Sequence, residues 1–142
     1  KTGLLPYGKI KEIEEDDPSL TYNTNDRHIS TIVDTKVLNN QSPWTKGLDL
    51  DITYKIPISH GEGRFILNEE KYKDLLENGQ IFSVYEINPN GSDYNIEGIL
   101  SKDGKILGRM GHVERLDSDL YKNIYDKKEQ KIFENAINYF KK

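Results

Sequence analysis

The sequence predicts an α/β domain that is rich in β-strands and ends in a helix. Apolar and polar residues alternate over residues 48–58, which is the period of a half-buried strand. Asp103-Gly104 separates two strand-like segments, as in a β-hairpin. Residues 126–142 repeat apolar side chains at helical spacing. We therefore predict a central mixed sheet with an Asp-Gly hairpin and a C-terminal helix.

The first third of the chain predicts a loop followed by strands. Glycine and proline alternate over residues 3–8, which indicates a loop leaving an element that begins upstream. β-Branched residues are frequent over residues 20–38, which favours one or two strands there. The alternating strand over residues 48–58 leads directly into a glycine-rich segment, His60-Gly61-Glu62-Gly63-Arg64.

The remaining elements carry clear boundary signals. Asn68 is a predicted N-cap for a helix over residues 69–78, with acidic residues in its first turn and Gly79 at its end. A strand follows over residues 81–87, and the dense turn signal Asn88-Pro89-Asn90-Gly91-Ser92 ends it. Asp126 is the predicted N-cap of the last helix, because Glu129 three residues later resembles a capping box.

Composition excludes several classes of function. The net charge is −4, and basic residues are interspersed with acidic ones, which argues against nucleic-acid binding. No apolar run is long enough to span a bilayer and no signal peptide is apparent, so we expect no membrane partner and a cytoplasmic location. The chain has no cysteine, and its three histidines lack the spacing of a metal site, so neither a disulfide nor a metal is expected.

Two segments could carry chemistry. His112 and Glu114 follow the second strand of the hairpin, and residues two apart in an extended segment point the same way. A carboxylate that orients a histidine is the base half of a nucleophilic triad, although a solvated ion pair with Arg115 is the ordinary alternative. The segment that contains His60, Glu62 and Arg64 suits a polar ligand at a strand end, although the residues alone favour an ordinary glycine-rich turn with surface charges.

Five stretches of the chain are informative together: residues 3–6, 58–65, 88–92, 96–99 and 103–115. In order and in spacing they resemble the glutaminase part of phosphoribosylformylglycinamidine synthase, a class I glutamine amidotransferase. The resemblance implies a partial flavodoxin-like α/β fold, with residues 1–142 as the C-terminal portion of the amidotransferase domain. It also implies that His112 is the general base and acid, that Glu114 orients it, and that residues 60–65 lie near the active-site mouth.

The resemblance extends to substrate and partners. In that family a cysteine attacks the glutamine side-chain amide, forms a thioester and releases ammonia. The synthetase domain then uses the ammonia, with ATP and Mg²⁺, to aminate formylglycinamide ribonucleotide. The partners implied are glutamine and the synthetase domain, and no cofactor is implied for this segment itself.

The chain departs from the family pattern in two places. Many relatives have proline on both sides of the histidine, where this chain has Gly111 and Val113. The nucleophile motif of the family lies just upstream of the Gly-Leu-Leu-Pro stretch, which would place it before Lys1. The 142 residues alone are therefore predicted not to hydrolyse glutamine.

Two questions remain open from sequence. A non-catalytic binding or interaction module with an amidotransferase-like fold is the alternative to an enzyme. The segment could also come from a long fused synthetase or from a separate glutaminase subunit. In either case an incomplete sheet would expose an edge, so a homodimer is a further expectation.

Overall fold

The computed structural model describes residues 2–116 and 120–141. It contains seven strands and three helices in the described residues, which occur along the chain as α1 (Leu4–Tyr7), β1 (Ser19–Thr21), β2 (Ile29–Val37), β3 (Thr53–His60), β4 (Arg64–Ile66), α2 (Glu69–Glu77), β5 (Ile81–Tyr85), β6 (Ile96–Leu100), β7 (Leu107–Arg109) and α3 (Ile132–Phe140). The expected loop over residues 3–8 is an irregular turn: α1 has only four residues, Leu5 within it has extended backbone, and Gly3 and Gly8 on either side have positive φ.

Five strands form the main sheet, in the order β3-β2-β5-β6-β7, and β1 pairs with β4 in a separate two-stranded sheet. Every one of these strand pairs is antiparallel. The α/β class and the partial amidotransferase-like fold are confirmed, but the prediction of a mixed sheet is wrong. Parallel neighbours need crossover connections of a dozen or more residues, whereas β6 and β7 are joined by a short turn.

The main sheet curls until its two ends meet. Gly111, just after β7, forms an antiparallel bridge with Ile58 in β3. The backbone N–H of His112 then donates to the carbonyl of Pro57 at 2.8 Å. Part of the edge that the sequence predicted to be exposed is therefore covered by the chain itself.

The hairpin is present but its turn differs from the prediction. In the tight turn expected of Asp-Gly, both residues have positive φ. Here Gly104 has a φ of 69°, but the φ of Asp103 is not positive. The N–H of Gly104 instead donates to the carbonyl of Ser101 at 2.8 Å, so four residues make the turn and glycine closes it.

Helix α2 matches its prediction closely. The side chain of Asn68 accepts a hydrogen bond from the N–H of Lys71 at 2.9 Å, and Gly79 has a φ of 64° just beyond the helix. Leu75 packs into one of the three apolar clusters of the core, together with buried residues of β4, β5 and β6. These are Phe65, Ile81, Ile96 and Ile99.

Helix α3 begins six residues later than predicted, and the last residue of the predicted span, Lys142, lies outside the described residues. Asp126 has a φ of 55° and does not cap the helix, which begins after Lys131. Ile132 and Ala136 are buried, whereas Phe133 and Ile137 are exposed. Phe140, the fifth apolar residue of the predicted face, is exposed as well, so two of the five reach the core. There Ile132 packs with residues of β2 and β3 and the loop before β3: Val37, Leu48, Tyr54 and Ile56.

The predicted strand over residues 48–58 is also displaced. It begins at Thr53 and ends at His60, so the apolar residues at its predicted start belong to a loop. Leu48 lies in that loop, and its side chain is buried. The strand predicted over residues 81–87 ends at Tyr85, and Ile87 beyond it is exposed.

Candidate active site

His112 and Glu114 contact each other directly. The Nδ1–H of His112 donates to Oε1 of Glu114 at 2.6 Å, which leaves Nε2 as the imidazole nitrogen that can accept a proton. The two side chains are 32% and 50% exposed, so solvent and ligands can reach them. The structure thus brings the two predicted residues together in the arrangement of an acid–base histidine with its orienting carboxylate.

The local backbone differs from the extended segment that the sequence predicted. Glu114 lies in a 3₁₀ turn, Val113–Arg115, and His112 is the residue that precedes this turn. The N–H of Arg115 donates to the carbonyl of His112 at 3.2 Å, which closes the turn. The tight turn, rather than the alternation of a strand, places the carboxylate beside the imidazole.

The pKa of Glu114 is lowered by its surroundings. Partial burial alone would raise this pKa, since it disfavours the charged carboxylate. The hydrogen bond from His112 and the positive charge of Arg115 act in the opposite direction and outweigh burial. Glu114 is therefore held as the anion that an imidazolium at His112 requires.

The side-chain amide of Asn23 holds the glycine-rich segment in place through hydrogen bonds. The amide Nδ2 of Asn23 donates to the carbonyl of His60 at 2.9 Å, and its Oδ1 faces Nδ1 of His60 at 3.1 Å. The same Oδ1 accepts from the N–H of Gly63 at 3.3 Å. The ring of His60 lies so close to Gly63 that a Cβ there would be 2.3 Å from Nδ1. Glycine at 63 is thus required by the packing of His60.

The turn over residues 88–92 is hydrogen-bonded to the same segment. The side chain of Asn90 is fully buried and donates to the carbonyl of Gly63 at 2.8 Å. Ser92 Oγ accepts from the N–H of Phe65 at 3.1 Å, and Nε of Arg64 donates to the carbonyl of Gly91 at 3.0 Å. Two segments that the sequence singled out separately therefore form one unit, and Arg64 contributes to holding it.

His60 is partly buried, and its Nε2 has no hydrogen-bond partner. Burial lowers the pKa of His60, and the neighbouring His28 and His112 lower it further. Gly111 bridges to Ile58 and the N–H of His112 donates to the carbonyl of Pro57, both in the strand that ends at His60, so the glycine-rich segment and the His112–Glu114 pair belong to the same region of the molecule.

A cavity of about 610 Å³ opens beside this region. Its walls come from the N-terminal segment, from β6 and β7 and from the glycine-rich segment. Glu62 and Met110 contribute to the lining, whereas His60, Arg64 and His112 are outside it. Of the three candidate ligand-binding residues, Glu62 is thus the one that lines this cavity.

A buried ion pair that was not predicted lies beside the backbone just before His112. Glu97 in β6 and Arg109 in β7 have side chains that are 0% and 5% exposed, and they pair at 3.0 Å. The available signal was a charged residue between Ile96 and Gly98 in an otherwise apolar strand. A buried charge is stable only when it is paired, so that pattern points to a partner on the neighbouring strand.

In the described residues, 2–116 and 120–141, no group of three or more histidine, aspartate or glutamate side chains is arranged to hold a metal ion. None of the helices there combines the length and the apolar character needed to cross a membrane.

Comparison with known proteins identifies relatives. The model of the CobB/CobQ-like glutamine amidotransferase domain matches residues 1–140. The phosphoribosylformylglycinamidine synthase subunit PurQ of Aquifex aeolicus is 37% identical over 111 residues, covering 72% of this chain and 49% of the relative. The subunit of the same name from Methanococcus maripaludis is 34% identical over 153 residues, covering 87% of this chain and 55% of the relative.

A solved structure has the same fold. The structure of PurLQS from Thermotoga maritima superposes with a TM-score of 0.69 at 30% sequence identity, over 87% of this chain and 53% of that one. The chain thus spans about half the length of the relatives it matches.

Proposed function

Because the chain belongs to the CobB/CobQ-like glutamine amidotransferase domain family, we propose that it provides the acid–base half of a glutaminase site. The single observation that supports this most strongly is the 2.6 Å hydrogen bond from Nδ1 of His112 to Glu114. It fixes the tautomer in which Nε2 is free to take a proton from a nucleophile and to return it to the leaving ammonia.

The nucleophile comes from outside these residues. The chain contains no cysteine, so the thiol that attacks the glutamine amide is supplied by another part of the full-length protein. The attack forms a thioester and releases ammonia, and water then hydrolyses the thioester to glutamate. In this scheme His112 moves the protons and Glu114 stabilises the imidazolium.

The physiological reaction we propose is that of phosphoribosylformylglycinamidine synthase in purine biosynthesis. The relatives whose names state this activity support the proposal. Ammonia would pass to a synthetase partner, which uses ATP and Mg²⁺ to aminate formylglycinamide ribonucleotide. A cytoplasmic location is part of the same proposal.

The segment that contains His60, Glu62 and Arg64 is proposed to form the mouth of the glutamine site. Its support is the pairing of the backbone at Gly111 and His112 with the strand that ends at His60, and the position of Glu62 on the neighbouring cavity. Arg64 supports this segment through the backbone of Gly91 rather than by facing the cavity.

The test is ammonia release from glutamine by the full-length protein. His112→Asn should lower kcat by about 10³-fold or more, because a triad acts as a unit. His28→Asn is the matched control, since His28 is exposed and bonds to Ser59 at 3.0 Å. The 142-residue chain alone should release no ammonia above the buffer rate. Undiminished turnover by His112→Asn would refute the proposal.

A further inference from the structure

The buried carboxylate of Glu97 is fully occupied by donors. Oε1 accepts from Nε of Arg109 at 3.0 Å and from the N–H of Gly111 at 2.6 Å. Oε2 accepts from Nη2 of Arg109 at 3.0 Å and from the hydroxyl of Ser83. An ionised carboxylate offers about four acceptor positions, so all of them are used.

The guanidinium of Arg109 also has partners other than Glu97. Nη1 of Arg109 donates to Oε1 of Gln130 at 2.5 Å, and the guanidinium lies 5.3 Å from the centre of the Phe82 ring. Bidentate pairing leaves the Glu97 carboxylate a single orientation. The position of Oε1 is therefore fixed relative to the backbone that follows β7.

That backbone leads directly to His112. The Gly111 N–H is held by Glu97, and the next N–H, of His112, is held by Pro57 in β3. A Cβ at position 111 would lie 2.5 Å from Ile56 and 2.8 Å from Oε1 of Glu97. Nη2 of Arg109 would be 2.9 Å from the same Cβ, so the backbone at Gly111 passes closely between Ile56 and the Glu97–Arg109 ion pair.

We infer that Glu97 is a positioning residue for His112: its buried carboxylate fixes the Gly111 N–H and thereby the turn that presents the imidazole to Glu114. The catalytic part of this inference rests on the function proposed above. The geometric part concerns only the described residues and can be tested in the 142-residue chain.

The geometric test uses Glu97→Gln, which keeps the shape of the side chain but replaces one acceptor oxygen with a donor. If Glu97 positions His112, the substitution loosens the turn and weakens the bond between His112 and Glu114. The pKa of Glu114 should then rise toward the ordinary value of about 4.3. A titration followed by ¹³C NMR of the side-chain carboxyl measures this shift.

Two controls separate positioning from general destabilisation. Ser83→Ala removes a contact on Oε2 and leaves the bond to Gly111 in place. Leu75→Ala weakens the core cluster around α2, which does not include Glu97 or His112. Both should leave the pKa of Glu114 lowered, as in the unmodified chain.

The catalytic test uses the full-length protein. Glu97→Gln should lower kcat for glutamine hydrolysis by about 10- to 100-fold and leave KM within about twofold, because a misplaced base affects the chemical step more than binding. If the unmodified full-length protein does not hydrolyse glutamine, the proposed function fails, while the titration still decides whether Glu97 positions His112.

The inference is overturned if folded Glu97→Gln keeps the lowered pKa of Glu114, or if both controls raise it equally. An unchanged kcat in an active full-length protein would also overturn it. Should Glu97→Gln not fold, Arg109→Lys replaces it, since lysine keeps the charge but loses the bidentate hold on the carboxylate. The same outcomes then apply.

Discussion

Asp17 is a buried carboxylate that fastens the N-terminal segment. It accepts hydrogen bonds from the hydroxyl of Tyr7, from the N–H of Glu14 at 2.9 Å and from Nζ of Lys11 at 2.9 Å. The bond from Tyr7 is the main cause that lowers the pKa of Asp17, and the bond from the Glu14 backbone is the next. Ionised Asp17 therefore stabilises the folded chain.

Asp17→Asn is expected to lower the free energy of unfolding by about 2 kcal/mol at pH 7, which is typical of lost charged hydrogen bonds. The pKa of Asp17 is lower in the folded than in the unfolded state, so its stabilisation is present above the unfolded value of about 3.9. It is lost as the pH falls through the folded pKa. The difference in the free energy of unfolding between Asp17→Asn and the unmodified chain should therefore shrink from pH 7 to pH 3.

Urea-induced unfolding at several pH values measures this effect. Asp16→Asn is the matched control, because Asp16 is adjacent but exposed. A deficit that stays the same down to pH 3, or an equal deficit in the control, would contradict the role assigned to Asp17.

The helices show which elements a sequence can predict. Helix α2 carries its own boundary signals, and Asn68 and Gly79 act locally as predicted. Helix α3 is positioned by distant contacts instead. The amide of Asn135 donates to the carbonyls of Trp44 and Lys46, which lie about 90 residues earlier in the chain, at separations of 91 and 89. Local capping signals could not reveal such contacts, so the predicted start was six residues too early.

Asn135→Ala should lower the free energy of unfolding by about 1–2 kcal/mol, since it removes one half-buried and one exposed hydrogen bond, and such bonds contribute about 0.5–1.5 kcal/mol each. Asn138→Ala is the matched control, because Asn138 is exposed on the same helix. Thermal and urea unfolding measure both variants. Equal stability of the two would show that the helix docks through its apolar face alone.

The candidate site was predictable only where its residues are close in sequence. His112 and Glu114 are two residues apart, so their contact could be expected even though a 3₁₀ turn rather than a strand creates it. The pairing of Glu97 with the Gly111 N–H depends on the register between β6 and β7 and on the curl of the sheet. No local sequence pattern specifies that register, so the contact of Glu97 with the backbone before His112 could not be predicted from the sequence.

At the scale of the whole molecule, the curl of the sheet creates the site. The bridge between Gly111 and Ile58 joins the end of β7 to β3, and His112 lies at this junction. The same closure protects one side of β3 from pairing with another chain. The outer side of β7, Leu107–Arg109, is paired only to β6 among the described strands.

This remaining edge is where we expect self-association of the 142-residue chain. Unpaired backbone groups of an edge strand are a template for a second copy, and a lysine on the edge opposes such pairing. Leu107→Lys should therefore keep the chain monomeric at concentrations where the unmodified chain gains mass toward a dimer. Leu76→Lys is the matched control, since Leu76 is exposed on α2, away from the sheet edges. Light scattering across a concentration series measures the mass, and a monomer at every concentration in the unmodified chain would refute pairing through β7.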